Sequence, residues 1–339
     1  MPPRTVPPFR ILTWHVHGSY LDSLVRTGHE FFLPVRDEGG ERHGGIGGWG
    51  WPRDLVHEVA EDEVRDLDVD LVLFQHARNW RDDGPRILSD DQLRGPRIYV
   101  EHDPPWADPT EARHPVDDAG VLLVHVTAFN ELMWDNGRTP TRVIEHGVVD
   151  PGVRWSGELE RGLVVLNDIG SRGRRVGHDI YDRARHRLPI DLVGMHSTEH
   201  GGLGEVRRSD LPAFSARYRF FLHPVRYTSF GMAVVEAMMV GLPIVALATT
   251  EMPTVLEDGR SGVIHTDPDY LIEGAADLLR DHGLAARMGD AGRAIALERF
   301  SIDRFAAEWS RAFADVVGRG RARSGQGRER RVAVTAVTA

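Results

Sequence analysis

Short apolar runs of strand length alternate with helical patterns along most of this chain. A first run at residues 10–16 is followed by a helical pattern to about residue 26, and a second run covers residues 30–34. A strand, a helix and a strand in this order form a βαβ unit, whose two strands lie parallel in one sheet. Because the alternation continues to about residue 317, the sequence predicts an α/β protein with parallel sheets.

The alternation falls into two series separated by a turn-rich stretch at residues 150–157, which contains Pro151 and two glycines. Such stretches are typical domain boundaries. We therefore predict an N-terminal domain at residues 1–150, a second domain at residues 151–317 and a disordered basic tail at residues 318–339. The final helix, at about 304–313, is a candidate to cross back onto the first domain.

Each series predicts a doubly wound domain, and two such domains enclose a cleft between the carboxyl ends of their sheets, where ligands bind. Further strands are predicted at residues 71–75, 98–101, 122–126, 141–145, 163–167, 190–193, 220–223, 244–248 and 262–264. Helices are predicted at about residues 53–59, 179–187, 232–240, 267–281, 284–300 and 302–317.

Composition narrows the possible chemistry. The net charge of −10 argues against nucleic acid as the main partner. The chain has no cysteine, which removes thiolate catalysis and disulfides and fits a cytoplasmic protein. It has neither an apolar run of membrane-spanning length nor an export signal at its start, so we expect at most peripheral membrane contact. All 41 basic residues are arginine, so a phosphate would be held by guanidinium groups rather than by lysine.

One segment, residues 228–243, combines a small-residue turn with an apolar helix that carries a single acidic residue. The N-terminus of such a helix presents unpaired amide groups and a partial positive charge, which suits a phosphate at residues 229–231. Glu236 lies five residues beyond Gly231, or about 7.5 Å along the helix. That spacing matches the distance from a diphosphate to a ribose, although a core helix whose glutamate reaches solvent is the alternative.

The same segment resembles the donor-binding signature of the retaining GT-B glycosyltransferases of family 4, written E-x7-E. Phe230-Gly231, Glu236-Ala237-Met238 and Gly241-x-Pro243 match it. The first glutamate does not match, because Thr228 stands in its place and Ser229 replaces the following glycine. In the family that glutamate helps to hold the donor sugar. The variant therefore leaves sugar identity and turnover open and is compatible with nucleotide binding.

Shorter matches occur in the family's order along the chain. Gly18 with Gly28-His29 is similar to the opening of the first domain, and residues 146–150 are similar to the segment before the linker. Residues 257–262 are similar to an acidic-glycine turn before a late strand. The resemblance implies two Rossmann-like domains and a metal-independent hexosyltransferase that acts with retention of configuration on a nucleotide-diphosphate sugar, without a cofactor.

The resemblance also implies roles for residues of the first domain. His17 and Gly18 occupy the first strand-to-helix loop, which faces acceptor or phosphate in the family; a plain tight turn is the alternative. His102 occupies the family's T-x-H position near the reacting sugar, and a neutral imidazole there can both donate and accept hydrogen bonds. A histidine that caps a strand end is the alternative. Weaker candidates are His76, His114, His125 and His146.

An arginine cluster follows the strand at residues 163–167. Family members carry an arginine and a Lys-Gly pair there that clamp the donor diphosphate. Gly177 matches the glycine but Val176 stands at the lysine position, so Arg172 and Arg175 are the favoured donor-binding residues, not separable by sequence from Arg174. A solvated basic loop is the alternative.

Metal and hydrolytic sites are not predicted. The three aspartates at residues 66, 68 and 70 run directly into a strand and are expected to solvate its entry, and no carboxylate pair stands out by spacing. The arginine-rich tail from residue 319 could touch an anionic membrane surface, but a solvated end is the preferred interpretation.

We therefore expect a GT-B glycosyltransferase that moves a sugar from a nucleotide-diphosphate donor to a glycan, a lipid-linked acceptor or a small molecule. Two alternatives are a noncatalytic nucleotide-sugar-binding relative, which Thr228 makes credible, and a GT-B nucleotide-sugar epimerase. The donor base, the sugar and the acceptor stay open.

Overall fold

The computed structural model describes residues 8–36 and 45–324, and it contains two parallel sheets covered by helices. The glycine-rich stretch at residues 39–50, which the sequence indicates to be a loop, therefore lies only partly within the described residues. The first sheet is formed by β1 Arg10–Thr13, β2 Glu30–Val35, β3 Val56–Ala60, β4 Leu71–Phe74, β5 Arg97–Glu101, β6 Val121–His125 and β7 Thr141–Val143. The second is formed by β8 Leu159–Val165, β9 Ile190–Val193, β10 Tyr218–His223, β11 Ile244–Leu247 and β12 Gly262–His265. The predicted α/β class is confirmed.

Both sheets are doubly wound. The first has the order β3-β2-β1-β4-β5-β6-β7 and the second has the order β12-β11-β10-β8-β9, with parallel pairing throughout. The chain reverses its winding direction between β1 and β4 in the first sheet and between β8 and β10 in the second. At such points the loops after adjacent strands diverge and leave a crevice. A ligand is therefore expected at the loops that follow β1 and β4 in the first sheet and β8 and β10 in the second.

Helices cover both sheets. In the first half they are α1 Gly18–Val25, α2 Gly84–Ile87, α3 Asp90–Arg94 and α4 Ala128–Met133. In the second half they are α5 Ile169–Arg172, α6 His178–Arg185, α7 Leu211–Ser215, α8 Met232–Val240, α9 Met252–Val255, α10 Pro268–Arg280, α11 His282–Arg299 and α12 Ile302–Ser324. Several of the short helices have only four or five residues, too few for a periodic apolar pattern. None was predicted from the sequence.

The helix predicted at residues 53–59 is wrong, because residues 56–60 form strand β3. The spacing of Leu55, Val56, Val59 and Ala60 imitates a helical pattern. In the structure the segment pairs in parallel with β2, from Phe31 opposite Val56 to Val35 opposite Ala60. β-Branched valines fit a pleated surface, and the pairing with β2 stabilises the extended conformation of this segment.

The last helix, α12, packs on the first domain. Phe305, Trp309 and Phe313 are completely buried there, in the core that also contains Tyr20 and Leu24 of α1. Their spacing of four residues places them on one face of the helix. The helix continues to Ser324, so the prediction of disorder from residue 318 is wrong for residues 318–324, which extend the last turns of α12. The rest of the predicted tail lies outside the described residues.

Membrane insertion by a helix finds no support in the described ranges: none of their helices combines the length and the apolarity that crossing a bilayer requires.

Candidate functional site

The loops that follow the strands of the two sheets meet across a cleft. The guanidinium of Arg175 lies 3.2 Å from the ring centroid of Trp106, and the Tyr227 hydroxyl donates to the Pro105 carbonyl at 3.0 Å. The Phe129 amide donates to the Glu251 carboxylate at 2.9 Å. In each contact one partner belongs to the first half of the chain and the other to the second half. The structure therefore holds the two halves together around the cleft.

Glu236 lines a cavity in this cleft. The cavity has a volume of about 390 Å³ and is bounded by both halves of the chain. Its walls include Asp22, Ser23, Arg26, Trp49, Val148, Val149, Pro151, Arg208, Ser209, Leu211, Pro212, Met232 and Met239. Burial raises the pKa of the Glu236 carboxyl, an effect that the nearby charge of Arg208 partly offsets. Within the described residues no protein group donates a hydrogen bond to this carboxylate, which suits it to accept the hydroxyl groups of a ligand.

The turn before α8 is arranged as a set of backbone donors. Gly231 caps the helix in an extended conformation, and the amide groups of residues 229–233 have no acceptor within the described part of the chain. The α8 N-terminus carries a partial positive charge in addition. These free amides are donors that a phosphate could use, and phosphate binding at this turn stays a prediction.

The individual residues of this turn differ in their contacts. Phe230 is buried, its ring stacks on Phe300 with centroids 5.4 Å apart, and its carbonyl accepts a hydrogen bond of 2.8 Å from His146 Nε2. The Ser229 carbonyl accepts from the Thr250 hydroxyl at 3.3 Å. Phe230 and Ser229 therefore hold the turn in place, while Thr228 stays half-buried. Because the Phe230 side chain is buried, Phe230 could contact a phosphate through its backbone amide but not through its side chain.

The arginine cluster is divided by its ion pairs. Arg174 is exposed and pairs with Asp179 at 2.7 Å, whereas Arg175 contacts Trp106. Arg172 and Arg175 interact electrostatically with each other and with Asp103 of the first domain, and burial together with Arg172 lowers the pKa of Arg175. Arg172 and Arg175 thus lie at the cleft, whereas the Arg174 guanidinium is paired with Asp179. The sequence did not make this distinction.

The glycines beside the site are explained by packing within the protein. A side chain at Gly177, whose φ is +78°, would overlap the Pro224 carbonyl, so the glycine lets the cluster approach the loop after β10. A side chain at Gly18 would overlap the ring of Trp49. His17 caps α1 without a side-chain hydrogen bond to the helix amides, and its ring lies 4.3 Å from that of His102.

His102 packs among rings rather than standing free in the cleft. Its ring centroid lies 4.7 Å from that of Tyr20, and its Nε2 atom is fully buried without a partner in the described residues. Burial lowers the pKa of His102 well below the usual value, and His17 and His146 add to the effect. The imidazole is therefore neutral, but Nε2 faces the protein interior.

Asp103 and His223 are among the cleft residues that sequence reasoning missed. Asp103 follows His102; burial and Glu101 raise the pKa of its carboxyl to about 6, which Arg172 and Arg175 oppose. Its backbone is held by Glu101 Oε1, which accepts the Asp103 amide at 2.9 Å. His223 ends β10, and burial with the charge of Arg172 lowers its pKa to about 4. His223 is the last residue of β10 and Asp103 follows the end of β5 by two residues, and a position at the carboxyl end of a strand is the signal that could have found them.

The weaker histidine candidates have structural contacts. His114 Nε2 lies 3.1 Å from Glu101, His125 Nε2 lies 2.9 Å from Asn136, and His76 Nδ1 accepts the Arg78 amide at 3.1 Å. Asp70 accepts the Arg10 amide at 2.9 Å, beside the entry to β4. Across residues 8–36 and 45–324, no group of three or more histidine, aspartate or glutamate side chains has an arrangement suited to a metal ion.

Comparison with known proteins adds a family match in the second half. Residues 194–281 match the family model described as glycosyl transferases group 1. A segment of 128 residues is 34% identical to a sucrose synthase of Solanum tuberosum and covers 36% of this chain and 16% of that protein. A segment of 135 residues is 35% identical to a GDP-mannose-dependent alpha-(1-6)-phosphatidylinositol monomannoside mannosyltransferase of Mycolicibacterium smegmatis, covering 37% and 35%. The matched segments span about a third or less of these relatives' own length.

Solved structures of similar fold cover nearly the whole chain. A sucrose-phosphate synthase from Thermosynechococcus elongatus has a TM-score of 0.70 at 14% identity and covers 93% of this chain and 100% of its own. The Anabaena protein HepE, solved in complex with UDP, has a TM-score of 0.69 at 15% identity and covers 91% and 100%. The fold is therefore GT-B, as the sequence predicts.

Proposed function

We propose that this protein is a glycosyltransferase that moves a sugar from a nucleotide-diphosphate donor to an acceptor hydroxyl. One observation carries the proposal: Glu236 faces a cavity of about 390 Å³ and has no protein donor among the described residues. A ribose would supply two hydroxyl donors to this carboxylate. The match of residues 194–281 to glycosyl transferases group 1 supports the same conclusion.

The diphosphate would bind where the α8 N-terminus meets the arginines. The unpaired amides of residues 229–233 precede Glu236 by about one to two helical turns. Arg172 and Arg175 carry positive charge into the same cleft. As the bond between the sugar and the phosphate breaks, negative charge grows on the leaving diphosphate. Fixed dipoles and guanidinium groups stabilise that charge more than the ground state, which lowers the barrier.

The finer features of the reaction belong to the same proposal. Retention of configuration, membership of family 4, a hexosyl donor and independence from metal ions follow from the variant E-x7-E resemblance and from the arginines that supply positive charge at the phosphate. The contacts across the cleft, such as Arg175 with Trp106, would limit the access of water to the donor. Asp103, which interacts electrostatically with Arg172 and Arg175, would lie beside the phosphate, whereas the buried His102 Nε2 faces the protein interior.

Glu236→Ala tests the ribose contact. We expect nucleoside diphosphate affinity to fall by about 1–3 kcal/mol, because hydrogen bonds to a carboxylate are lost. Isothermal calorimetry with UDP, GDP and ADP is the measurement, performed at pH 8 because burial raises the pKa of Glu236. Glu298→Ala, which changes an exposed glutamate of α11, is the matched control. Equal affinities of the wild type and Glu236→Ala for every nucleotide that binds would contradict the proposal.

Thr228→Glu tests the departure from the family signature. We expect the ratio of kcat/KM between two donor sugars to change by about tenfold, or about 1.4 kcal/mol, while nucleoside diphosphate affinity stays within a factor of about two. Thr228→Gln, which adds the length without the charge, is the control. A change in nucleotide affinity with an unchanged sugar ratio would oppose this role of position 228. Donor binding by the wild type without turnover on any acceptor would favour the noncatalytic alternative.

A further inference from the structure

Three planar groups are stacked at the rim of the cavity that contains Glu236. The rings of Trp51 and Trp49 are stacked with centroids 5.2 Å apart and an interplanar angle of 20°. The Arg208 guanidinium carbon lies 4.5 Å from the ring centroid of Trp49. Trp49 and Trp51 belong to the first half of the chain, whereas Arg208 lies in the second half, in the loop before α7. The stack therefore crosses the cleft.

The guanidinium of Arg208 is also held at its edge. Its Nη1 donates to the Ser19 hydroxyl at 2.9 Å, and its Nη2 lies 3.4 Å from the Asp22 carboxylate. The same carboxylate accepts a hydrogen bond of 3.0 Å from Trp51 Nε1. Because the edge and one face are fixed, the plane of the guanidinium has a defined orientation before any ligand binds. Such preorganisation reduces the entropy lost on binding.

The position of Trp49 depends on Gly18. A Cβ atom at Gly18 would overlap the Trp49 ring, so the glycine at the start of α1 makes room for the stack. The His15 ring packs edge-on against Trp49 with centroids 6.1 Å apart. Gly18 and His15 therefore define the position of the Trp49 ring.

The stack shares its cavity with Glu236. Arg208, Trp49 and Glu236 all line the same space of about 390 Å³, and the charge of Arg208 partly offsets the rise that burial causes in the pKa of the Glu236 carboxyl. The Arg208 side chain remains 43% exposed, which leaves surface for a ligand. A ribose bound to Glu236 would carry its base in this cavity. Leu211 and Pro212 add apolar walls that suit a flat, weakly polar ring.

We propose that the Arg208 guanidinium, seated on Trp49, is the platform on which the nucleobase of the donor stacks. The inference rests on the proposed nucleotide site and adds that both domains recognise the base. Guanidinium and aromatic planes stack on any nucleobase, so the platform provides affinity without strong selection among bases. It also couples base binding to the closed arrangement of the cleft, because Ser19 and Asp22 hold the guanidinium from the other side.

The experiment compares nucleoside diphosphates with inorganic pyrophosphate. Calorimetry measures the affinities of the full chain for UDP, GDP and pyrophosphate in the wild type, Arg208→Ala and Arg208→Lys. We expect both variants to bind UDP and GDP about tenfold more weakly and pyrophosphate within a factor of about two. Lysine keeps the charge but lacks the plane, so equal losses in the two variants identify stacking. Trp49→Ala is expected to behave like Arg208→Ala.

Trp106→Ala is the matched control, since Trp106 also contacts a guanidinium across the cleft, that of Arg175. Its effect should be the same for pyrophosphate and for the nucleotides. Three results would overturn the platform: unchanged UDP and GDP affinities in Arg208→Ala, an equal loss of pyrophosphate binding, or full affinity in Arg208→Lys. If Glu236→Ala still weakens nucleotide binding in that case, the proposed function stands and only the platform fails. If the wild type binds no nucleotide at all, the proposed function itself fails.

Discussion

Replacing both Arg172 and Arg175 by alanine is expected to weaken nucleoside diphosphate binding by about 3–5 kcal/mol. Each guanidinium can form charged hydrogen bonds to the diphosphate, and such bonds contribute about 1.5–3 kcal/mol each. The two groups lie close enough to interact electrostatically with each other and with Asp103. In the proposed arrangement, their joint removal takes side-chain charge away from the diphosphate and leaves the amides before α8 to bind it. Calorimetric titration with UDP and GDP measures the loss.

Arg174→Ala is the control for this pair, because Arg174 belongs to the same cluster but is bound to Asp179. It should change the affinity by less than about 0.5 kcal/mol. The unphosphorylated nucleosides uridine and guanosine provide a second comparison, since their binding should not respond to the double variant. A loss of nucleoside binding equal to the loss of diphosphate binding would show that the arginines support the fold of the cleft rather than the phosphate.

Trp309→Ala is expected to destabilise the protein by about 3–5 kcal/mol. Trp309 is completely buried between α12 and the first sheet, and its ring packs against Tyr20, Phe305 and Phe313 with centroid distances of 6.4, 6.2 and 5.1 Å. Its removal costs the burial of a large apolar side chain and leaves a cavity. Urea unfolding followed by circular dichroism gives the free energy of unfolding.

The control for Trp309 is Leu297→Ala, since Leu297 lies on the surface of α11 with 41% exposure. Exposed substitutions change stability by about 0.5 kcal/mol or less. A cost below about 1 kcal/mol for Trp309→Ala would mean that α12 contributes little to the first domain. A shift to lower urea concentration that is confined to the unfolding of the first domain would agree with the packing of α12 on that domain.

The order of strands and helices is predictable from this sequence because most strands here are buried on both faces. Runs such as 71–74 and 121–125 are buried throughout and appear in the sequence as continuous apolar stretches. β3 is different, since it lies at the sheet edge and is buried only at Val56. Its pattern is set by pairing with β2, which local spacing cannot reveal.

The part of the candidate site that lies on one short segment could be predicted from the sequence. Glu236 and the turn before it are fixed relative to each other by one helix, so their spacing in the sequence gives their spacing in space. The choice among Arg172, Arg174 and Arg175 depends on Asp179 and Trp106, and Trp106 belongs to the other domain. Asp103, His223 and Arg208 likewise face the cleft only because the two domains meet. Contacts of this kind are set by tertiary structure and leave no periodic signal.

The packing of α12 on the first sheet has a consequence for the synthesis of the chain. On the ribosome, β1 to β7 emerge long before Phe305, Trp309 and Phe313, although all belong to one apolar core. The core of the first domain therefore stays incomplete, and partly exposed to solvent, until the whole second domain has been translated. Contacts so distant in sequence slow folding and expose apolar surface to other chains. Chaperone dependence during translation is therefore expected to centre on the face that α12 later covers.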